Sequence, residues 1–244
     1  MQHQIVSREE WIAARKAHLA NEKKFTQMRD ELSAERRALP WTKIDKNYMF
    51  DGPDGKETLA ELFDGKSQLI IYHFMFAPGA TEGCPGCSFL ADHIDGANLH
   101  LAHHDIAFVV VSRGKREEFE PYKKRMGWNF KWVSSNGSDF NYDFDVSHTK
   151  EQLAKGEAVY NFAAMEGDYD GELPGVSVFY RDEKGDIFRT YSAYARGGDI
   201  LIGAYNYLDL MPKGRNESST MNWMKRHDEY EGVKKAKGAP SCCG

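Results

Sequence analysis

The chain has 244 residues, 41% apolar and 13% aromatic, with a net charge of −5; this fits one large domain with an appendage, or two small domains, around a proper core. The charges are interspersed without the basic footprint that nucleic-acid binding needs, no apolar run is long enough to span a bilayer, and the N-terminus has no apolar signal core, so no nucleic-acid or membrane partner is expected and the expected location is cytoplasmic. Four cysteines are too few for a disulfide scaffold, and in a reducing compartment they point to catalysis or metal binding.

Ser7-Arg8-Glu9-Glu10 reads as a capping box ahead of a long helix. Trp11, Ala14, His18, Asn21, Phe25, Met28 and Leu32 follow at alternating steps of three and four. That is a heptad-like seam with two polar interruptions, and the helix should end before Pro40. Such a narrow stripe serves either as an arm lying on the body or as a homodimer contact. Residues 41–64 read as short strands and turns. Leu69–Phe76 is apolar on both alternating faces, as a central parallel strand should be. A helix is expected over about Cys84–His103, a buried strand over Ile106–Ser112 and an amphipathic helix over Arg116–Met126, ended by Gly127. A third strand is expected at Phe130–Val133. This alternation predicts a right-handed parallel α/β unit.

Residues 136–172 form a long excursion rich in Asp, Gly and aromatics. Val176–Arg181 and Asp186–Tyr194 then flank Asp182-Glu183-Lys184-Gly185, a hairpin signal. A last helix is expected over about Asp199–Leu210. The chain from Lys213 reads as a polar tail ending Pro240-Ser241-Cys242-Cys243-Gly244. The domain reading is a helical arm over 1–40, an α/β domain over 41–215 and a C-terminal tail over 216–244.

The chemistry concentrates in Gly83-Cys84-Pro85-Gly86-Cys87. Two cysteines two residues apart, between a buried strand and a helix start, have the layout of a redox-active dithiol. Unpaired N–H groups and the positive end of the helix dipole would stabilise a Cys84 thiolate. Cys87 lies one helical turn on, within reach of a disulfide. A structural zinc site needs four ligands, and the nearest downstream histidine, His93, lies about 180° around an ideal helix from Cys84. His73 is expected in the core, and His100, His103 and His104 at a helix end. Asp139, Asp143, Asp145, Asp168 and Asp170 match no calcium-loop spacing and read as solvated surface.

The order of the elements, with Leu173-Pro174-Gly175 leading into a hairpin and a last helix, resembles the thioredoxin fold: a central mixed sheet flanked by helices, here with a long N-terminal arm and a polar tail. That resemblance implies that Pro174 lies against the dithiol with a cis Leu173–Pro174 bond. Ile106–Ser112, Trp132-Val133-Ser134-Ser135 and Tyr142-Asp143-Phe144-Asp145 resemble the peroxiredoxin core. Pro78, Thr81 and Cys84 resemble its Pro…Thr-x-x-Cys loop with the proline one residue too close, and Arg113, Arg189 and Arg196 are candidates for its peroxide-polarising arginine. More finely, Arg36–Trp41, Tyr72–Phe76, Glu82–Phe89, Arg125–Trp128, Asp139–Asp143, Thr190–Gly197 and Tyr205–Leu210 resemble an uncharacterised bacterial thioredoxin-like family, domain of unknown function 899, over about residues 36–215.

The expected activity is thiol–disulfide exchange with no cofactor, acting on a disulfide-bearing protein or a small thiol or peroxide. The site residues are Cys84, Cys87, Pro174 and Thr81. The alternatives are a thiol peroxidase, with Cys84 peroxidatic and Cys87 resolving, and a non-enzymatic protein that binds a soft metal through thiolates. Cys242 and Cys243 could serve as a metal-passing pair or as resolving thiols for the latter readings.

Overall fold

The structure is a computed structural model that describes residues 3–167 and 169–233. The chain divides into two compact units between Trp41 and Thr42. The first is a helix, α1 (Arg8–Arg37), started by the expected capping box. Ser7 Oγ accepts from Glu10 N at 3.2 Å and Glu10 Oε2 accepts from Ser7 N at 2.9 Å. The seam residues Trp11, Phe25, Met28 and Leu32 are exposed.

The second unit is built on a sheet of β1 (Thr42–Lys43), β2 (Met49–Gly52), β3 (Gly55–Thr58), β4 (Gln68–His73), β5 (Ile106–Ser112), β6 (Lys131–Ser134), β9 (Gly175–Arg181) and β10 (Ile187–Tyr194). Within the excursion, β7 (Val159–Tyr160) and β8 (Ala163–Ala164) pair separately. The strand order of the main sheet is β1-β10-β9-β4-β5-β6-β2-β3. β4, β5 and β6 are parallel, while β9 runs antiparallel to β4 and forms a hairpin with β10. Central parallel strands, an antiparallel hairpin beside them and helices on both sides make a thioredoxin-like fold.

The apolar run of β4 divides by alternation. Leu69 and Ile71 enter one core layer with Phe63, Val109, Phe140 and Phe179; Tyr72, Phe74 and Phe76 enter the other with Cys87, Phe119 and Trp132. The dithiol therefore sits on the aromatic-rich face. There the rings of Phe119 and Trp132 stack with centroids 4.5 Å apart.

The helix expected over Cys84–His103 is two: α2 (Pro85–Ala91) and α3 (Ile94–Ala102). Side chains at the joint account for the break. Asp92 Oδ1 accepts from Trp128 Nε1 at 2.8 Å, and Asp95 accepts from the backbone of Asn129 and Phe130, both at 2.8 Å. Then α4 (Arg116–Met126) ends at left-handed Gly127, φ 70°, a conformation that glycine adopts without strain. The excursion holds the short α5 (Phe140–Asp143) and α6 (Lys150–Lys155). Its Asp139 and Asp143 accept from Lys46 Nζ at 2.7 and 2.6 Å. Asp168 lies outside the described residues.

The last expected helix starts late. A 3-10 stretch, Ala195–Leu201, precedes α7 (Gly203–Asp209). His93 Nε2 takes the place of a helical acceptor for Ala204 N at 3.1 Å. The segment after Pro212 departs from a solvated tail: Met221, Trp223 and Met224 pack against the core layer that carries the dithiol. Its sequence is polar overall, but these three side chains supply an apolar footing. Among the described residues no helix is long and apolar enough to cross a membrane.

Candidate active site

The dithiol loop hangs from the end of β4. Phe74 N still donates to Val111 O at 2.9 Å, extending the strand, and Ala80 N closes a turn on Ala77 O at 3.1 Å. Cys84 N then donates to Met75 O at 3.4 Å, which folds the loop back onto the strand. Cys84 is the N-cap of α2, and proline follows at the start of the helix, where its missing N–H costs nothing. Its carbonyl accepts from Ser88 N at 2.9 Å and Ser88 Oγ at 2.8 Å. Ser88 is in turn hydrogen-bonded to Tyr122 OH at 2.7 Å.

The two thiols are free and differ sharply. Cys84 is half-buried, whereas Cys87 is buried and its sulfur accepts from Met75 N at 3.4 Å. A hydrogen bond from the Cys87 thiol brings Cys84 down from 9.0 to about 6. The backbone N–H groups of Cys87 and Gly86 and the Arg226 guanidinium add to this, against the opposing effect of burial. Burial pushes the Cys87 thiol well up, and its bond to Cys84 does so further. The pair is thus set as one thiolate and one thiol donor at neutral pH.

A cavity of about 290 Å³ opens beside both sulfurs. Tyr72, Met75, Pro174, Val176, Ala193 and Met221 are among its walls. Pro174 therefore lines the same cavity as the dithiol. The Leu173–Pro174 bond is trans, contrary to the implied cis geometry: there is no cis peptide among the described residues. Trans is the ordinary preference for an X–Pro bond, by about 0.5–1 kcal/mol. The loop is anchored in that form by Leu173 N on Val146 O at 2.9 Å and by Tyr160 OH on Pro174 O at 2.7 Å. Thr81 is exposed and is not among the residues lining the cavity.

Each of the three candidate arginines is held by a partner. Arg113 Nε binds the buried Glu172 at 2.7 Å and Arg113 also donates to Tyr142. Arg189 donates to Ser192 Oγ at 2.9 Å and Tyr194 OH at 2.7 Å. Arg196 lines the cavity and is paired with Asp199 at 3.1 Å. His73 is a core residue, hydrogen-bonded to Ser177 Oγ at 2.9 Å and stacked on Phe140. His93 bonds Phe89 O at 2.7 Å, away from the sulfurs.

Sequence reasoning missed Arg226 and Met221. Arg226 donates twice to the carbonyl of Gly83, at 3.2 and 2.9 Å. Met221 Sδ lies over Gly86, 3.1 Å from where a Cβ would stand, and Cys84 Sγ is 3.8 Å from the same point. No local pattern marks either residue. Met75 and Tyr72 lie inside the apolar run and could have been found from its register. Among the described residues no group of three or more His, Cys, Asp and Glu side chains is placed to hold a metal ion. Cys242 and Cys243 lie outside the described residues.

A comparison with curated proteins finds no match. Among solved structures, a cysteine variant of peroxiredoxin Q from Xylella fastidiosa is similar at a TM-score of 0.45 and 13% identity, over 68% of this chain and 94% of that one. Peroxidoxin BcpB from Mycobacterium tuberculosis is similar at 0.42 and 12%, over 67% and 94% of the two chains. Thioredoxin peroxidase I from Plasmodium yoelii follows at 0.41 and 15%, over 76% and 96%. The model of a family described as bacterial protein of unknown function (DUF899) matches residues 1–230, and the chain belongs to that family.

Proposed function

We propose that the protein is a thiol–disulfide oxidoreductase, with Cys84 as nucleophile and Cys87 as resolving thiol. The observation that carries this reading is the asymmetry of the pair: a half-open Cys84 lowered to about 6, and a buried Cys87 that holds its proton and donates it to Cys84. The Cys84 thiolate attacks one sulfur of a substrate disulfide and expels the first thiolate. A mixed disulfide forms. Cys87 gives up its proton, attacks the Cys84 sulfur and expels the second thiolate. The substrate gains two electrons and two protons, one proton from Cys87 and one from solvent, and leaves as two thiols. The protein is left with a Cys84–Cys87 disulfide, which an external dithiol reduces again.

Two features favour disulfide exchange over a peroxidase. Thr81 does not line the cavity, and among the described residues the one arginine that does, Arg196, is paired with Asp199. The test is mass spectrometry after exposure of the reduced protein to a small disulfide. Cys87→Ser is expected to accumulate a mixed disulfide on Cys84, and the wild type a Cys84–Cys87 disulfide. A Cys84→Ser protein that reacts as fast as the wild type would falsify the reading.

A further inference from the structure

The cavity beside Cys84 is a small, apolar chamber, and its charge pattern narrows what it can hold. We infer that the dithiol acts on an uncharged, apolar disulfide of low molecular weight; this rests on the oxidoreductase reading above. The walls around the two sulfurs include Tyr72, Leu90, Val176, Ala193 and Ile202. Such walls favour a ligand whose own surface is apolar. The volume, about 290 Å³, stands at the low end of the roughly 300–1,000 Å³ typical of small-molecule sites.

Size is limited from outside as well. Met221 lies over Gly86 beside the Cys84 sulfur, and its segment is tied down. Arg226 grips Gly83 O, and His227 Nδ1 is bonded to Asp92 Oδ1 at 2.7 Å. Glu217 Oε1 accepts from Trp223 Nε1 at 2.9 Å. With this segment fixed beside Cys84, a small molecule reaches the chamber more easily than a loop of a folded protein does.

Charge argues for a neutral substrate. Besides the Cys84 thiolate, the charged residues of the described lining are Arg196 and Asp199, and they pair with each other. Asp199 is also 3.4 Å from Arg215. The guanidinium of Arg226, which helps lower Cys84, is committed to Gly83 O, to Glu82 at 3.2 Å and to Glu229 at 2.8 Å. Among the described residues, a substrate carboxylate would meet no cation that is not already paired, and burying an unpaired charge is costly.

The experiment uses the reduced full chain. Stopped-flow rates are measured with a neutral dipyridyl disulfide, with its dicarboxylate analogue and with insulin. Each is divided by the rate of the same disulfide with 2-mercaptoethanol thiolate, which removes intrinsic reactivity. The neutral compound is expected to be favoured over each of the others by about tenfold or more, because the dicarboxylate must be desolvated without a partner. Equal normalised rates for the two dipyridyl compounds, or for the neutral compound and insulin, would overturn the inference. Thr220, an exposed residue on the cavity rim, supplies a second readout. Thr220→Arg should raise the dicarboxylate rate and Thr220→Gln should not; identical behaviour of the two variants would also overturn the inference. Cys84→Ser separates the two layers. Loss of all reaction in that variant without any substrate preference in the wild type sinks only the substrate class, while reaction that survives it sinks the oxidoreductase reading.

Discussion

Arg226 and Gly83 are 143 residues apart in sequence, yet two guanidinium nitrogens of Arg226 bond the Gly83 carbonyl at 3.2 and 2.9 Å. This places a fixed positive charge one residue before Cys84. It also fastens the chain's last described segment to the dithiol loop.

The first prediction concerns the Cys84 thiolate. Its leading stabiliser is the Cys87 thiol, and Arg226 is a smaller contributor. Cys87→Ala should therefore raise the Cys84 pKa more than Arg226→Gln does, and Arg226→Lys should raise it least. The check is the pH dependence of Cys84 alkylation by iodoacetamide in each variant. An unchanged midpoint in Cys87→Ala would refute the assigned order.

The same shift has a consequence for stability. A group lowered on folding from 9.0 to about 6 leaves the unfolded chain holding a proton that the folded chain has released, so stability rises with pH across that window. The contribution is fully present above about 9 and is lost as pH falls through about 6. The denaturation midpoint of the reduced protein, relative to Cys84→Ser, is expected to climb between these values. A difference that is flat over the whole range would contradict it.

Gly83 and Gly86 should respond differently to alanine. A Cβ at Gly83 would stand 2.6 Å from a Phe74 ring carbon and 2.7 Å from one of Tyr122, and both rings are buried. Gly83→Ala is expected to cost about 2–3 kcal/mol, the upper part of the roughly 1–3 kcal/mol seen for overpacked cores. At Gly86 the neighbour at 3.1 Å is the thioether of Met221, which is adaptable, and alanine is the better helix former by up to about 1 kcal/mol. Gly86→Ala should change stability by less than about 1 kcal/mol. Urea midpoints decide both.

Glu172 is buried, and its carboxylate depends on Arg113 at 2.7 Å and on Ser147 and Asn141. Arg113→Leu should destabilise the fold by about 3–5 kcal/mol, because it leaves a buried charge without its counter-ion. Arg113→Leu combined with Glu172→Gln should recover part of that loss. A double-mutant cycle in urea measures the coupling, and additive effects would show that the pair does not act as one unit.

His73 predicts acid sensitivity. Burial, with Arg189 adding to it, lowers its pKa from 6.5 to about 3. Below 6.5 the unfolded chain takes up a proton that the folded chain refuses, so stability falls as pH drops from 6.5 toward 3. His73→Leu, which loses the bond to Ser177, should be less stable at neutral pH by about 1 kcal/mol but should lose less on acidification. Converging stability curves at low pH are the expected result, and parallel curves would refute it.

Much of the frame was legible in the sequence because it depends on neighbours in the chain. The Ser7/Glu10 cap, the apolar run that becomes β4, the left-handed Gly127 and the hairpin between β9 and β10 are each written within about ten residues. The break between α2 and α3 was not legible, because it depends on Asp92 and Asp95 meeting Trp128, Asn129 and Phe130, more than thirty positions away. The trans Leu173–Pro174 bond is not legible for a related reason: the cis form is implied by resemblance alone, and Tyr160, bonded to Pro174 O, helps hold the loop in the other form here.

By itself the sequence determined that two thiols stand between a buried strand and a helix, since alternation, turn residues and the cysteine spacing are local properties. Only the tertiary structure decided how far the two thiols differ beyond the local helix-start effect on Cys84. Burial of Cys87 and the approach of Arg226 to Gly83 arise where distant parts of the chain pack together. Desolvation and charge act through space and not along the chain, so no local pattern of residues encodes them.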